Sequence, residues 1–446
     1  MNTWNIIFKQ NSKDFFDIEV PENQKKLIIN TDQQGLLDTV LSTNVFTEIK
    51  NQQIVTTANV HDLLHFAIGV YTVDQGISRE SYGFQQWSRH IRLFVPVSTV
   101  GGWTRCKKEI EDMLSFLSGD KWEISFRKKA GEQKQLELPV DTNPNKIQSV
   151  SLFSGGMDSF IGAIDLLEDN KKVHFVSHYK RGTEGNVQPI LYDALKKQYG
   201  EGSFDYTRFW VQPTQKNKSL SKERSSRARS FLFLCLGVSV ANSLGQNVEF
   251  IVPENGLISL NIPLTGTRLS SHSTRTTHPH YLGLFKKIMV ELDIKNPIRN
   301  PYQFLTKGEI ARNCKNTNFL KKWNKTTISC SHPDNSRRKK GSKPGIQCGY
   351  CVPCIIRQAT EKMNKLKGTK YVQDIIKNPP SQTKKTGSDM RAFKLALEGM
   401  NGKSDQSIMF DILSSGPIPF DNEDELKEYV KLYKRGMNEI KNFLKK

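Results

Sequence analysis

The sequence predicts an α/β fold centred on a doubly wound parallel sheet, with a β-rich N-terminal domain before it and a helical extension after it. Three observations carry this. At residues 150–167 an apolar run ends in a glycine turn, and a helical apolar pattern (Phe160, Ile161, Ala163, Ile164, Leu166, Leu167) follows at once. From residue 146 onward, strand-length apolar runs alternate with helix-length ones, the pattern of a parallel sheet. Four cysteines then gather near the end of the same region.

Residues 1–145 read as an α+β domain of open role. Strands are expected at 4–9, 26–30, 90–96 and 122–127, and helices at 60–71 and 103–117, the second carrying Cys106. Asp74, Arg79, Glu80, Trp87, Arg89 and His90 read as a solvated sheet face, with a contact surface as the alternative. DTNPN at 141–145 reads as a linker. The domain at 146–370 follows, with further strands at 172–177, 206–211 and 247–252 and helices at 187–199 and 225–244. In such a sheet the ligand lies at the carboxyl ends of the strands. From 371 to 446 the chain is polar and helical: KNPPSQTKKTGSD (377–389) reads as a loop, and 423–443 as an amphipathic basic helix that docks on the body.

The chain has 446 residues, enough for two or three cored domains, and 37% of them are hydrophobic. It contains no run of 18 apolar residues, and MNTWNIIFKQNSKD lacks the plan of a signal peptide, so a cytoplasmic protein without a membrane span is expected. Lysine and arginine exceed aspartate and glutamate by 65 to 45, a net +20 that suits a nucleotide or nucleic-acid partner or simply a basic surface. The basic residues are scattered rather than gathered on one helix.

SGGMDS, Ser154 to Ser159, is the chemical centre. Gly155 and Gly156 let the backbone approach a ligand and adopt positive φ, and the free N–H groups of the following helix point at an anion. Ser154 and Ser159 add hydroxyls, and Met157 completes the turn. Asp158 beside a phosphate requires a cation between them, which makes it a candidate Mg²⁺ ligand. The stretch is not a Walker A loop, which needs G-x-x-x-x-G-K-[ST].

Other candidates fall at predicted strand ends or helix starts. Glu254, Asn255 and Gly256 follow a strand directly: Glu254 suits Mg²⁺ or a substrate amine, and Asn255 a purine edge. Arg227 and Arg229 open an apolar helix where they could reach phosphate, and Lys307 opens another. Residues 265–280, with Arg268, Arg275, His278 and His280, read as a substrate lid. Cys330, Cys348, Cys351 and Cys354 (C-x17-C-x2-C-x2-C) form a four-thiolate set for Zn²⁺, closed and therefore structural. Arg337, Arg338, Lys339, Lys340 and Lys343 nearby would offset its charge. Cys106, Cys235 and Cys314 read as core residues.

SGGMDS resembles the signature of the PP-loop ATP pyrophosphatases. Together with PENG, FLTKGEI and C…CGYCVPC, it resembles the 7-cyano-7-deazaguanine synthase (QueC) family over residues 148–365. The resemblance implies a PP-loop fold with structural zinc, in which ATP adenylates the carboxylate of 7-carboxy-7-deazaguanine for attack by ammonia. It assigns Ser154, Gly155, Gly156, Asp158 and Ser159 to ATP and Mg²⁺, and the four cysteines to zinc. The catalytic candidates are Asp158, Lys307 and Arg227. The long gap between Cys330 and Cys348 and the added terminal regions resemble the QueC-like proteins of anti-phage defence systems, the Qat system especially. That likeness implies protein partners in a defence complex and an amine acceptor that includes a protein N-terminus. A tRNA-modifying PP-loop enzyme and a non-enzymatic defence subunit are the alternatives.

Overall fold

The computed structural model describes residues 3–10, 13–30, 39–131, 145–180, 183–215, 223, 225–264, 275–332, 346–380, 385–419 and 423–445. Arg268, most of the 141–145 linker and the five basic residues at 337–343 lie outside them. The first elements are β1 (Thr3–Lys9), β2 (Lys25–Asn30), β3 (Thr39–Thr43), α1 (Val45–Asn51), α2 (Ala58–Gly76), α3 (Arg79–Tyr82), β4 (His90–Val97), α4 (Val100–Arg105), α5 (Lys107–Ser118) and β5 (Lys121–Lys128). The expected helix at 103–117 is therefore two helices meeting at Cys106. β2, β1, β4 and β5 form a four-stranded sheet in that order, and every neighbouring pair is parallel. Six of the seven residues of β1 are buried, as a central parallel strand covered on both faces must be.

The next elements are β6 (Ser149–Leu152), α6 (Met157–Glu168), β7 (Val173–His178), α7 (Thr183–Tyr199), β8 (Phe204–Phe209), β9 (Val211–Gln215), α8 (Arg229–Leu244), β10 (Glu249–Ile251), α9 (Gly256–Leu260), α10 (Pro279–Glu291) and β11 (Ile298–Arg299). Five of these strands form a second sheet in the order β11-β10-β6-β7-β8, all parallel. The chain runs outward from β6 through β7 to β8, then returns to β10 on the other side of β6. The topological switch point thus lies between the carboxyl ends of β6 and β10, where open α/β sheets bind ligands. The sequence missed one pairing: β9 runs antiparallel to β3 and ties residues 211–215 to the N-terminal region.

The two sheets share one core. A single apolar cluster runs from Trp4, Ile6 and Phe66 through Phe231 and Leu236 to Val150 and Phe250, with α2 packed along α8. Gly237 brings α8 close: a Cβ there would stand 2.2 Å from the Phe250 ring.

A buried ion network also joins the two parts and corrects the expectation of a solvated face for Asp74, Arg79 and Arg89, whereas Glu80 is exposed and Trp87 and His90 are half-buried. Asp74, Arg79 and Arg89 are at most 2% exposed. Asp120 accepts from Arg89 at 2.6 Å and Arg79 at 2.5 Å; one Asp74 oxygen accepts from Arg79 at 2.8 Å, and the other receives the Arg227 and Ala228 N–H groups at 2.8 and 3.0 Å.

The last helices are α11 (Lys307–Asn313), α12 (Thr317–Trp323), α13 (Val352–Met363), α14 (Ser388–Gly399), α15 (Asp405–Leu413) and α16 (Glu423–Leu444). The apolar side of α16 (Leu426, Tyr429, Val430, Leu432, Tyr433, Met437, Ile440) is buried with Leu257, Leu260 and Ile355, so this helix docks on the body as its pattern requires. No described helix is long and apolar enough to cross a membrane.

Candidate functional site

The glycine turn leaves β6 at the switch point. Gly155 has φ +84°, the left-handed region that favours glycine, and a Cβ there would sit 3.1 Å from Val187 and 3.3 Å from Gln188. The turn is braced from within: the Ser154 hydroxyl accepts from Gly156 N–H at 3.2 Å and lies 3.1 Å from the Ser159 hydroxyl. It is also braced from outside, by Gln188 donating to the Ser154 carbonyl at 3.2 Å and by Ile328 N–H donating to the Gly155 carbonyl at 2.9 Å. Gln188 and Ile328 carry no sequence signal, because their role arises only when α7 and the segment before Cys330 fold over the turn.

Asp158, in the first turn of α6, is 4% exposed and meets three groups from other segments. One oxygen pairs with the ammonium of Lys307. The other accepts from the Asn255 backbone N–H at 3.2 Å and the Asn255 side-chain amide at 2.7 Å. Asn255 also donates to Glu254 at 3.3 Å. The approach of α6 to this turn depends on Gly162, where a Cβ would stand 2.9 Å from Pro253. Four of the expected residues, Asp158, Glu254, Asn255 and Lys307, are therefore in mutual contact although three chain segments supply them.

The two acids of this cluster diverge. Burial works against ionisation of Asp158, but Lys307 and hydrogen bonds from Glu254, Lys307 and Asn255 outweigh it and lower its pKa. Burial and then the neighbouring Asp158 charge push Glu254 well above the usual carboxylate range. The two shifts run in opposite directions, so Glu254 resists ionisation beside Asp158, and Lys307 offsets negative charge there. Neighbouring acids pushed apart in this way at a strand-end switch point make a candidate functional site.

Several expectations are corrected in place. Asn255 is fully buried; its carbonyl oxygen caps α9 by accepting from Ile258 N–H at 3.0 Å while its amide serves Asp158, so it does not present a free edge to a purine. Arg227 turns to the joint with the N-terminal sheet, stacking over Trp87 at 4.0 Å and donating to the Ser118 carbonyl at 2.6 Å. It is Arg229 that reaches the carboxyl end of β7, donating to His178 Nδ1 at 3.3 Å and to the His178 carbonyl at 3.1 Å. The described end of the proposed lid is packed. Arg275 lies over Phe116 at 4.3 Å, and buried His278 bonds Ser415 at 2.9 Å, its pKa pushed down to about 3 by burial and then by Arg275 and His280. Gly256 starts α9 and leaves no space for a side chain, since a Cβ would stand 2.0 Å from the Gln303 carbonyl.

Cys330, Cys348, Cys351 and Cys354 are all buried, and their sulfurs lie within 4.8 Å of one another. The Cys348–Cys354 pair is 3.8 Å apart and the Cys330–Cys351 pair 4.0 Å. A tetrahedral zinc site with Zn–S of about 2.3 Å requires sulfurs about 3.8 Å apart, so the donor set fits a metal such as zinc. Backbone N–H groups of His332, Cys348 and Cys351 point at sulfur at 3.3, 3.3 and 3.4 Å, as thiolates require. Gly349, at φ +87°, makes the turn between the second and third ligands. Buried Arg357 ties this knuckle to the Thr327 carbonyl at 2.9 Å, one residue from the Ile328 that braces the glycine turn. Cys106, Cys235 and Cys314 are buried in the core as expected.

Comparison of the chain with protein-family models, curated proteins and solved structures gave no match.

Proposed function

We propose that this protein is a PP-loop ATP pyrophosphatase of the QueC type, which adenylates a carboxylic acid for capture by an amine. The observation that carries the reading is the convergence of the glycine turn, Asp158, Glu254 and Lys307 at the switch point of a parallel sheet. A triphosphate needs backbone N–H groups, a cation and little competing negative charge, and this site supplies all three.

The turn at Ser154 to Ser159 would take the phosphates, with Lys307 neutralising charge as it builds on the phosphorus under attack. Asp158, and Glu254 on giving up its proton, are the oxygen donors that would hold Mg²⁺, whose part is to neutralise phosphate charge. In the first step the acid's carboxylate oxygen bonds the α-phosphorus, the bond to the β-phosphate bridge breaks, and pyrophosphate leaves. In the second the amine bonds the acyl carbon, AMP leaves, and the amine gives up a proton. Catalysis here is positioning and charge neutralisation, with no protein nucleophile required. The zinc knuckle is structural: its four thiolates complete the metal's shell and leave no position for substrate.

The acid in this reading is 7-carboxy-7-deazaguanine, and the amine is ammonia or a protein amine of a defence partner. Pyrophosphate release is measured with ATP, Mg²⁺ and a panel of acids that includes deazaguanine acids, each with ammonia or peptide amines. Release of AMP and pyrophosphate that depends on one acid supports the proposal. No release with any acid, or products of ADP and phosphate, overturns it.

A further inference from the structure

The two residues that bond Asp158 stand at the starts of very short helices. Asn255 caps α9, five residues long, and Lys307 begins α11, seven residues long. Helices this short do not hold themselves in water, so their placement must come from what they pack against. Both pack against α16, and α11 packs also against α13, α6 and α12.

At α11, the Glu439 carboxylate accepts from the Thr306 hydroxyl and lies against Gly308, where a Cβ would stand 2.6 Å from its carboxylate carbon and both oxygens. One turn earlier, Arg435 donates to Glu309 at 2.7 Å and to the Phe304 carbonyl at 2.7 Å. Glu309 in turn completes the capping box by accepting from Thr306 N–H at 2.9 Å. At α9, a Cβ on Gly436 would stand 2.6 Å from Leu257, and one on Gly256 would stand 2.5 Å from Leu432. Two glycines thus let helix α16 lie directly on the first turn of α9. Tyr429 accepts from Gln303 at 2.7 Å, fixing the strand of chain between the two sites.

We infer that α16 is a positioning element of the Asp158 cluster shared by α9 and α11, with Glu439 and Arg435 as positioning residues that hold Lys307 against Asp158. Glu439 is held protonation-prone by burial, which raises its pKa, while the Thr306 hydroxyl pulls the other way. Its acceptor oxygen serves Thr306 whether or not the acid is ionised. A glutamine at 439 therefore keeps the contact, and an alanine removes it.

The inference rests on the proposed reaction only for its catalytic consequence, so the test reads position first. Full-length protein is treated with acetic anhydride, and acetylation of Lys307 is followed by peptide mass spectrometry for the wild type, Glu439→Gln, Glu439→Ala and the pair Glu439→Ala with Arg435→Ala. Leu93→Ala, a core change in β4 outside the apolar cluster that holds α16, serves as a control for general loosening. The expected result is at least a tenfold rise in Lys307 labelling in the double variant, wild-type labelling in Glu439→Gln, and no rise in Leu93→Ala at a comparable melting temperature. Unchanged Lys307 labelling in the double variant, or an equal rise in Leu93→Ala, overturns the inference. If pyrophosphate release is found, the double variant should lower kcat more than it raises KM, and Glu439→Gln should restore it. If no acid supports release, the function reading fails while the labelling still decides the role of α16.

Discussion

Two buried charge clusters in this molecule look alike in composition and differ in what their charges do. At the joint between the sheets, Asp74, Asp120 and Glu223 face Arg79 and Arg89, and Arg227 stacks at the edge. Both Asp120 oxygens are saturated by arginine; burial alone would raise its pKa, but the two guanidinium groups hold it well below the usual carboxylate range. At the switch point, two acids share one lysine, and their pKa values move apart, Asp158 down and Glu254 up. The first cluster satisfies every charge and fixes geometry. The second leaves an acid pair poised at a strand end, where an incoming anion or cation can change the balance. Buried charge alone therefore does not distinguish the two; unequal sharing at a strand end is what makes the second the candidate site.

The comparison breaks most sharply at Arg89. Replacing it with alanine leaves Asp120 and Asp74 short of a buried partner and is expected to cost about 3–5 kcal/mol, read as a lower urea midpoint. Asp158→Asn should act the other way. The fold persists with a smaller loss of stability than Arg89→Ala, while pyrophosphate release falls about 10²-fold or more. If Asp158→Asn unfolds the protein as readily as Arg89→Ala, the two clusters are of one kind.

Acid sharpens the contrast further. His174 is held neutral by burial, its pKa pushed down to about 4, and burial also drives His65 and His178 well below the ordinary value. The unfolded chain takes up protons at these rings near pH 6.5, whereas the fold resists to lower pH. Stability is therefore full above about pH 6.5 and falls as pH drops toward 4, with His174 alone accounting for about 3 kcal/mol. Denaturant midpoints measured from pH 8 to 4 should show this slope, and His174→Asn should flatten part of it. The smallest effect is at the turn: Gly155→Ala forces a side chain into φ +84° near Val187, costing about 1–3 kcal/mol and weakening nucleotide binding in a titration with an ATP analogue.

What the sequence made legible was local. The glycine turn, the cysteine spacing and the apolar stripe of the last helix each lie within a short window, and each stands where its pattern requires. Asp74, Arg79, Arg89 and Asp120 were not legible as a buried group, because charged residues dispersed over some forty-six positions look like surface until the chain folds them together. The parallel pairing of the N-terminal strands was hidden for a similar reason: alternation identifies a strand but not its neighbour. Arg227 and Arg229 show the limit at finest scale. Both stand at the start of α8, two residues apart, and only packing decides that one faces Trp87 and the other His178.

The most direct test is a structure of the protein with Mg²⁺ and an ATP analogue that cannot be cleaved between its α and β phosphates. The account predicts phosphate oxygens against the backbone N–H groups of Gly155 to Ser159, with Lys307 turned from Asp158 toward phosphate. A nucleotide bound elsewhere, or an unchanged Asp158–Lys307 pair with the turn closed, would contradict it.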